Sequence, residues 1–349
     1  MRTVELDPSE YQPRPPAQRD FGIGIVGCGG IAQSAHLPAY RRFGYRVVAC
    51  CDIRPEAAEA ARNAFGIPFA TTDIDALLAR DDVEIVDLAV HASQRLPLVE
   101  KIAAAGKPIL SQKPFALNLA DAERMVAVCE KAGVPLMINQ QARWAPAHRA
   151  AKLLIERGVL GHVYSVLHLN RSFQDVPGSW YVKLEHFNII DHGIHYIDLA
   201  RYFTGRMPVR VKATTAMVPG QAAVTPMIYT ILCEYEPADQ LMTTLHFNNI
   251  VQTSALHRYE WFIDGTEGSL AVSHSELTIS FKDAPWQRQS FAIRGQWFPD
   301  AFGGSRGEMM QALSEKREPA TSGRDNLQSI RIAYAAVESA ETGRAVALR

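Results

Sequence analysis

The feature that most constrains the fold is an alternation of short apolar runs and helical patterns between residues 21 and 140. The apolar runs are FGIGIVG (21–27), YRVVACCD (45–52), EIVDLAV (84–90), KPILSQ (107–112) and PLMINQ (135–140). Each is short and almost continuously apolar, which is typical of strands covered on both faces. Helical spacing separates them, as over 118–132, where Asn118 is a candidate N-cap and Gly133 a candidate C-cap. Strands that alternate with helices predict a doubly wound parallel sheet of the Rossmann kind, an α/β fold.

From about residue 160 the pattern changes to longer runs in which apolar and polar residues often alternate. These runs cover 162–172, 209–218, 227–236, 241–249 and 255–264. Alternation is typical of a sheet with one face on a core and the other solvated or covered by a partner. We therefore predict a second, α+β domain with a large, mostly antiparallel open sheet. The predicted boundaries are an N-terminal arm or disordered lead-in over 1–20, a dinucleotide-binding Rossmann domain over 21–142 and the α+β domain over 143–349.

Composition excludes several classes of partner. The 36 Lys and Arg residues balance 37 Asp and Glu residues, so there is no basic excess for a polynucleotide, and we expect no nucleic-acid partner. No apolar run approaches the roughly 18 residues that span a bilayer, and residues 1–20 lack the apolar core of a secretory signal, so we expect no membrane partner. The five cysteines form no CxxC pair, which favours buried thiols over a disulfide framework or a zinc site. These features predict a cytoplasmic protein.

The first apolar run ends in a glycine-rich loop with the pattern GxGxxA. Gly27 allows a tight turn, Gly29 allows the backbone to approach a diphosphate, and Ala32 allows close packing of helix on strand. The anionic group would bind the unsatisfied N–H groups at the positive end of the helix. The loop therefore predicts dinucleotide binding, with Gly27, Gly29, Gly30 and Ile31 as cofactor-binding residues. A structural turn without a ligand is the alternative.

An acid at the end of the next strand bears on which dinucleotide is bound. Asp52 lies 20 residues beyond Ala32, where a carboxylate can accept hydrogen bonds from the ribose hydroxyls. A 2′-phosphate beside it would cost roughly 1 to 4 kcal/mol per unit charge at about 4 Å, which favours NAD over NADP. Arg54 would partly compensate a phosphate as a cofactor-binding residue. Its alternative role is a solvent-facing guanidinium at the start of a helix.

A lysine follows the fifth run, in the sequence Ser111-Gln112-Lys113-Pro114. Ligands of doubly wound folds bind at the carboxyl edge of the sheet, so Lys113 is well placed to donate to a substrate hydroxyl. Most lysines are solvated surface charges, which is the alternative. Pro114 favours the functional interpretation, because a proline there fixes how the chain leaves the strand and is a candidate cis peptide.

A second candidate centre lies on a predicted helix over 189–203. Ile190, Ile194 and Ile197 share one face, and Asp191, His195 and Asp198 form a neighbouring stripe. His195 can accept a proton near neutral pH, and a carboxylate beside it favours the imidazolium, which suits removal of an alcohol proton while a nicotinamide takes the hydride. A capped helix with surface ion pairs is one alternative. A metal cluster is another, but no known ligand spacing is matched, so we predict no metal; its ligands would be Glu185, His186, His192 and His195.

Taken together, these motifs make residues 21–349 similar to the Gfo/Idh/MocA oxidoreductase family. The shared markers are the GxGxxA loop, Lys113-Pro114, the Asp191…His195…Asp198 stretch, the hairpin-like sequence GTEGSL (265–270) and the ending AVESA…TGR (336–344). The resemblance implies a catalytic trio. His195 would accept the proton, Lys113 would hold and polarise the reacting hydroxyl, and Asp191 would bind a substrate hydroxyl and steady the lysine. It also implies a homodimer or homotetramer formed through the second-domain sheet.

One residue departs from the family pattern. The family usually has Glu before the Lys-Pro pair, whereas this chain has Gln112. A neutral amide can still bind ribose or amide groups, so Gln112 and Lys113 count among the predicted cofactor-binding residues. The missing negative charge is expected to make the Lys113 ammonium easier to deprotonate than in relatives with Glu. His91, after the fourth strand, is a further cofactor-binding candidate, or equally a loop histidine with local partners.

The substrate wall is predicted from polar and aromatic residues near the two centres. Arg143 and Trp144 follow the sixth strand, and Arg171 ends a strand of the second domain. Other candidates approach the predicted helix: Asn170, Trp180, Lys183, His186 and Asn188. Many donors combined with aromatic rings suit a small polyhydroxylated ligand, whose hydroxyls need partners and whose C–H faces stack on rings.

The predicted function is an NAD-dependent dehydrogenase that acts on a hydroxyl of a sugar or polyol. An aldose oxidised at C1 to its lactone is the leading reaction, with a small, branched pentose such as apiose among the candidates. A non-catalytic dinucleotide-binding regulator of a sugar pathway is the alternative from another class, although a pure sensor has no need of Lys113, Asp191 and His195 together. A dihydrodiol or imine reductase of the same family is the remaining alternative.

Overall fold

The computed structural model describes residues 2–348. The chain forms two compact units, each assembled from separated stretches of sequence. We call the first the Rossmann unit; it comprises Pro13–Ala145 and Gln296–Leu327. We call the second the large-sheet unit; among the described residues it comprises 2–12, Pro146–Gly295 and 328–348.

Helices occur in both units. In chain order they are α1 (Pro8–Tyr11), α2 (Leu37–Phe43), α3 (Pro55–Phe65), α4 (Ile74–Leu78), α5 (Arg95–Ala104), α6 (Leu119–Ala132), α7 (Pro146–Glu156), α8 (Ile194–Thr204), α9 (Asp300–Glu315) and α10 (Gly323–Thr342). Two π-helical segments, Ala32–His36 and Phe187–His192, precede α2 and α8. Short 3₁₀ turns lie at Ala92–Gln94, Gln141–Trp144, Trp180–Lys183, Pro237–Asp239 and Ser254–Leu256. Among residues 2–348, none of the helices combines the length and apolar character needed to span a bilayer.

The strands form two sheets. In chain order they are β1 (Gly22–Val26), β2 (Arg46–Cys51), β3 (Phe69–Thr71), β4 (Ile85–Leu88), β5 (Ile109–Gln112), β6 (Leu136–Asn139), β7 (Val163–Arg171), β8 (Arg210–Ala216), β9 (Ile228–Glu234), β10 (Met242–Asn248), β11 (Arg258–Gly265), β12 (Gly268–Val272), β13 (Glu276–Phe281), β14 (Gln289–Ala292) and β15 (Val346–Ala347).

The first six strands make the sheet of the Rossmann unit, in the order β3-β2-β1-β4-β5-β6. All paired neighbours run parallel. Every residue of β1, β4, β5 and β6 is buried, which explains why these strands are mostly apolar in sequence. The predicted caps of α6 are confirmed, because the Asn118 side chain accepts from the Asp121 N–H and Gly133 is left-handed at φ 66°. The predicted doubly wound parallel fold is therefore confirmed.

The other nine strands make the sheet of the large-sheet unit, in the order β14-β13-β12-β11-β7-β10-β9-β8-β15. β7 and β10 are parallel and the other pairs are antiparallel. Burial alternates along the strands, as in β9, because only one face packs against helices such as α8. The predicted α+β architecture with a mostly antiparallel sheet is confirmed, and the GTEGSL sequence connects β11 to β12 as an antiparallel hairpin.

Part of the predicted N-terminal arm is helical. Asp7 caps α1, since its carboxylate accepts from the Ser9 N–H at 2.7 Å. Tyr11 is buried in the large-sheet unit, where its hydroxyl accepts from the Arg294 N–H at 3.0 Å. The segment is thus held by contacts made far along the chain.

Candidate functional site

The glycine-rich loop between β1 and the first helix leaves room for a ligand. Gly27 has φ +95°, and a Cβ there would lie 2.8 Å from the Ala89 carbonyl oxygen, so only glycine fits. Beside Gly29 and Gly30, in contrast, an added Cβ would meet nothing within 4 Å. The Gln33 N–H already donates to the Gly29 carbonyl at 3.1 Å, so the first turn of the helix begins within the loop. An open loop at a helix N-terminus fits a diphosphate.

Asp52 lies at the end of β2, next to this loop. Its Oδ2 accepts from the Cys28 N–H at 2.8 Å, and its Oδ1 accepts from the Arg54 N–H at 2.9 Å. The Arg54 guanidinium is mostly exposed and places Nε 3.4 Å from the same Oδ1. Each ionised carboxylate oxygen has further acceptor capacity after one hydrogen bond, so Asp52 fits the ribose of NAD. The Arg54 guanidinium therefore faces solvent, as in the alternative role considered for it.

The predicted catalytic lysine follows β5 directly, at the carboxyl edge of the parallel sheet. The Lys113–Pro114 peptide bond is cis. Arg95, at the start of α5, donates to the Lys113 carbonyl at 3.1 Å and also to the Pro114 carbonyl. Gln112, the last residue of β5, is buried, and its amide oxygen accepts from Asn139 at 2.8 Å. The backbone around Lys113 is thus tied to neighbouring elements of the Rossmann unit.

The remaining predicted residues of the Rossmann unit, His91, Arg143 and Trp144, contact other residues of the same unit. His91 caps the Ala92–Gln94 turn, because its Nδ1 accepts from the Ser93 N–H at 3.3 Å. Arg143 pairs with Asp325 at 2.9 Å, and Trp144 is buried in a hydrophobic cluster with residues of α9. Their contacts with cofactor or substrate remain predictions.

The second predicted centre lies where the π-helical segment Phe187–His192 passes into α8. Ile190, Ile194 and Ile197 are buried, but so are nearly all residues over 187–200, so burial does not single out the apolar face that the spacing predicted. Asp191 and His195 are 9% and 8% exposed. Two residues that flank them on the same segment, His192 and Tyr196, line a cavity of about 460 Å³ on the large-sheet unit.

That cavity is rich in polar side chains. It is lined by residues of β7, β11 and the turn after β12, with His192 and Tyr196. Arg171, a predicted substrate residue, is on its wall and donates to the Leu256 carbonyl at 3.4 Å. Hydroxyl, amide, imidazole and guanidinium groups around one cavity suit a ligand with many hydroxyls. Among residues 2–348, no cluster of three or more His, Cys, Asp or Glu residues could hold a metal ion.

Asp198, the third member of the predicted stripe, has a different environment. It is fully buried, and the Ser329 hydroxyl donates to its Oδ1 at 2.8 Å. Arg201, one turn further along α8, lies 3.7 Å from the same oxygen. Asp198 therefore ties α8 to α10.

Sequence reasoning named Asn170 and Asn188 as candidates for the substrate wall, but it missed Asn249 and the buried amide network that joins all three. Asn249, just after β10, is fully buried and accepts from Asn170 at 2.7 Å. It donates to the Asn188 oxygen at 3.2 Å, and its Nδ2 lies 3.4 Å from His192 Nδ1. Asn188 and His192 bracket Asp191 in the chain. We call Asn170, Asn188 and Asn249 the amide network. Three asparagines spread over three segments carry no spacing signal.

It also missed a buried charged network in the Rossmann unit. We call His36, Tyr40, Asp87 and Arg306 the charged network; none is more than 1% exposed. A signal was present, because Asp87 stands in the middle of the apolar run EIVDLAV, and a buried carboxylate requires partners. The sequence does not show that one partner comes from α9.

Comparison with known proteins identifies the family of the chain. Residues 21–140 match the family model described as an oxidoreductase family with an NAD-binding Rossmann fold, and residues 148–271 match the GFO/IDH/MocA C-terminal domain. The chain belongs to the GFO/IDH/MocA oxidoreductase family. The predicted resemblance, the NAD-binding Rossmann domain and the enzyme class, an NAD(P)-dependent dehydrogenase of the sugar and polyol type, are confirmed.

Several relatives share most of their length with the chain. It is 33% identical over 308 residues to the D-apiose dehydrogenase of Paraburkholderia graminis, covering 84% of this chain and 80% of that protein. It is 31% identical over 347 residues to the D-apiose dehydrogenase of Rhizobium rhizogenes, covering 92% and 96%. An oxidoreductase from Agrobacterium radiobacter, crystallised with NAD+, L-tartaric acid and magnesium, superposes with a TM-score of 0.85 at 28% identity, covering 94% of this chain and 98% of that one.

Proposed function

We propose that the protein oxidises a hydroxyl of a small sugar, an aldose at C1, to the lactone, with NAD as the hydride acceptor. The observation that carries the proposal is the Asp191–His195 pair, largely buried on a helical segment whose other residues line a polar cavity. The similarity to two D-apiose dehydrogenases supports a branched pentose as the substrate.

The proton and the hydride leave the substrate by separate routes. The Gly27–Ile31 loop and Asp52 would hold the diphosphate and adenosine ribose of NAD, which would supply the acceptor for the C1 hydride. His195 accepts the hydroxyl proton, since a neutral imidazole is a suitable base near pH 7. Lys113 donates to the substrate oxygen and favours its alkoxide-like form, and Asp191 accepts from a neighbouring substrate hydroxyl. The products are lactone, NADH and one proton, so atoms and electrons balance.

A substrate panel tests the proposal. D-Apiose, other aldopentoses, aldohexoses and myo-inositol are incubated with NAD and with NADP, and reduced nicotinamide is followed by absorbance. Lactone is trapped with hydroxylamine, which separates C1 oxidation from oxidation of another carbon. We expect turnover of an aldose with NAD and a trapped hydroxamate. Turnover without hydroxamate would overturn C1 oxidation, and NAD binding without any turnover would favour the regulator.

We further propose a homodimer or homotetramer formed through the nine-stranded sheet, in the cytoplasm. Leu167 and Phe262 are paired across β7 and β11 and partly exposed, on the face opposite the buried His168 and Trp261. Apolar side chains on an open sheet face favour contact with a second copy. All five cysteines are free and buried, which suits a reducing compartment. Sedimentation of wild type and of Leu167→Glu tests the interface, and a wild-type oligomer in that variant would contradict it.

A further inference from the structure

The charged network lies directly behind the strand end that carries Lys113. Asp87, in the centre of β4, is its hub. His36 Nδ1 lies 2.9 Å from Asp87 Oδ2, Arg306 lies 3.1 Å from the same oxygen, and the Tyr40 hydroxyl donates to it. Arg306 Nε also donates to the Tyr40 hydroxyl at 3.3 Å. Every member is in the Rossmann unit.

The imidazole of His36 extends this network to Gln112. Its Nε2 lies 3.2 Å from Gln112 Oε1, an oxygen that also accepts from Asn139 at 2.8 Å. Because carboxylate and amide oxygens are acceptors, both ring nitrogens of His36 must carry a proton to make these bonds. The π-helical turn Ala32–His36 immediately precedes α2 and ends at this ring. The His36 ring therefore bridges Asp87 of β4 and Gln112 of β5.

The charges of the network support one another. Burial by itself would raise the pKa of Asp87. His36 and Arg306 together lower that pKa by more than burial raises it, so the carboxylate stays ionised. Burial opposes the Arg306 charge, but Tyr40 and Asp87 raise its pKa. Phe302 packs edge-on against the His36 ring at 4.9 Å, which closes the network on the α9 side. Such buried ions cost more in desolvation than apolar residues would, so they indicate a requirement for fixed geometry.

These contacts hold the backbone at the end of β5, where Gln112 is followed by Lys113 and Pro114. The side chain before the lysine, Gln112, is clamped by His36 and Asn139, and the carbonyls of Lys113 and Pro114 are clamped by Arg95. A reacting group must be held within a fraction of an ångström, and a displacement of about 1 Å can cost about a hundredfold in rate. Gln112 is also the position at which this chain departs from the usual Glu.

We propose that His36 is a positioning residue whose two ring N–H groups tie Asp87 to Gln112 and thereby hold the strand end that places Lys113. The proposal rests on the role proposed above for Lys113. The proposal gives His36 a role in the dehydrogenase reaction, although the sequence did not predict it as a catalytic, cofactor-binding or substrate-binding residue.

Two substitutions separate the two ring nitrogens. In His36→Gln the side-chain amide can reach the position of Nε2 and donate to Gln112, whereas in His36→Asn it can reach only the position of Nδ1 and donate to Asp87. We expect His36→Asn to lower kcat about tenfold to a hundredfold with the KM for NAD within about twofold, and His36→Gln, which loses the Asp87 bond but keeps the one to Gln112, to show a clearly smaller loss. Phe302→Leu is the matched control, because it loosens the ring packing without removing a hydrogen bond; we expect a lower Tm and a wild-type kcat.

A double-mutant cycle tests whether His36 acts through Gln112. In Gln112→Met, which removes the acceptor, we expect the same kcat loss as in His36→Asn, and no further loss when both are combined. Equal kcat values for His36→Asn and His36→Gln, or additive losses in the double variant, would overturn the proposal. If His36→Asn does not fold, Gln112→Met tests the proposal by itself. A wild-type kcat in Gln112→Met would contradict a role of the His36–Gln112 contact.

A spectroscopic measurement is independent of activity. In ¹⁵N-histidine-labelled protein, with His36→Gln used for assignment, we expect both His36 ring nitrogens to be protonated at neutral pH. A singly protonated ring would overturn the two-donor clamp. Lys113→Ala run in parallel separates the two ideas: if it retains turnover, the proposed role of Lys113 fails, whereas if it is inactive and His36→Asn is normal, only the positioning role fails.

Discussion

The two units contain opposite kinds of buried polar network beside the segments that carry their predicted catalytic residues. Behind Lys113 lies the charged network, in which an ionised Asp87 is matched by Arg306 and His36. The segment that carries Asp191 is joined to the amide network at Asn188, where Asn249 links Asn170 and Asn188 without any formal charge. A charged network is rigid and depends on pH, because removing one ion leaves another buried and unpaired. An amide network has short-range, directional bonds that do not titrate, so its loss should be local.

The largest effect is expected from the residue that the charged network supports. Lys113→Ala should lower kcat about a thousandfold or more, because the group that polarises the hydroxyl is lost, while NAD affinity changes less than about threefold. Steady-state kinetics and NAD titration by fluorescence measure the two quantities. Lys101→Ala, which removes an exposed lysine paired with Asp75, is the control and should be unchanged. A wild-type kcat in Lys113→Ala would refute its role.

A substitution in the charged network should lower the free energy of unfolding more than a substitution in the amide network. Asp87→Asn should lower the free energy of unfolding by about 3 to 5 kcal/mol, because it leaves Arg306 and His36 without their counter-charge. Asn249→Ala should cost about 1 to 3 kcal/mol, because it removes amide bonds but strands no ion. Urea unfolding at neutral pH, followed by signals from both units, measures these losses. Equal losses would mean that the charges of the first network do not set its stability.

Acid should weaken the large-sheet unit before the Rossmann unit. Burial and the nearby His148 and His192 lower the pKa of His168 well below its ordinary value of 6.5, so the folded protein keeps this ring neutral. The unfolded chain binds a proton there below pH 6.5, so stability is lost as the pH falls below that value. The lowered pKa of Asp87 acts in the same direction, but only below its ordinary value of 3.8.

His168→Phe tests this difference. It keeps the stacking on Tyr196 and removes the titrating ring, so the stability lost between pH 7 and pH 5 should shrink by about 1 to 2 kcal/mol. Thermal unfolding across that range provides the measurement. His162→Phe, at an exposed position, should leave the pH dependence as in wild type. An unchanged slope in His168→Phe would show that other groups cause the acid sensitivity.

The smallest effect concerns cofactor choice in the Rossmann unit. Asp52→Ala should weaken NAD about tenfold and NADP less, because the ribose acceptor and the repulsion of a 2′-phosphate disappear together. Dissociation constants for both reduced cofactors measure the preference. Glu56→Ala, an exposed acid nearby in the chain, should alter neither. Parallel losses for NAD and NADP would contradict the ribose assignment.

Much of the fold followed from local patterns in the sequence. The apolar runs predicted parallel strands, and the caps of α6 followed from the capping preferences of Asn and Gly. These features depend on neighbours within a few residues, so the order of residues is enough to specify them. The same holds for the glycine loop, whose steric requirement at Gly27 is a property of one turn.

Only the tertiary structure decided which distant residues share a buried environment. Residues 296–327 return to the Rossmann unit and bring Arg306 against Asp87, although 219 positions separate the two in the sequence (306 − 87). Asn249 likewise meets Asn170 across 79 positions. A charged or amide side chain in a buried strand requires a polar partner, which can be inferred from the sequence. Which residue becomes that partner depends on how whole helices and strands pack. For that reason local patterns identified Lys113, Asp191 and His195 as candidates, while the contacts of His36 with Asp87 and Gln112, proposed to position Lys113, became visible only in the folded chain.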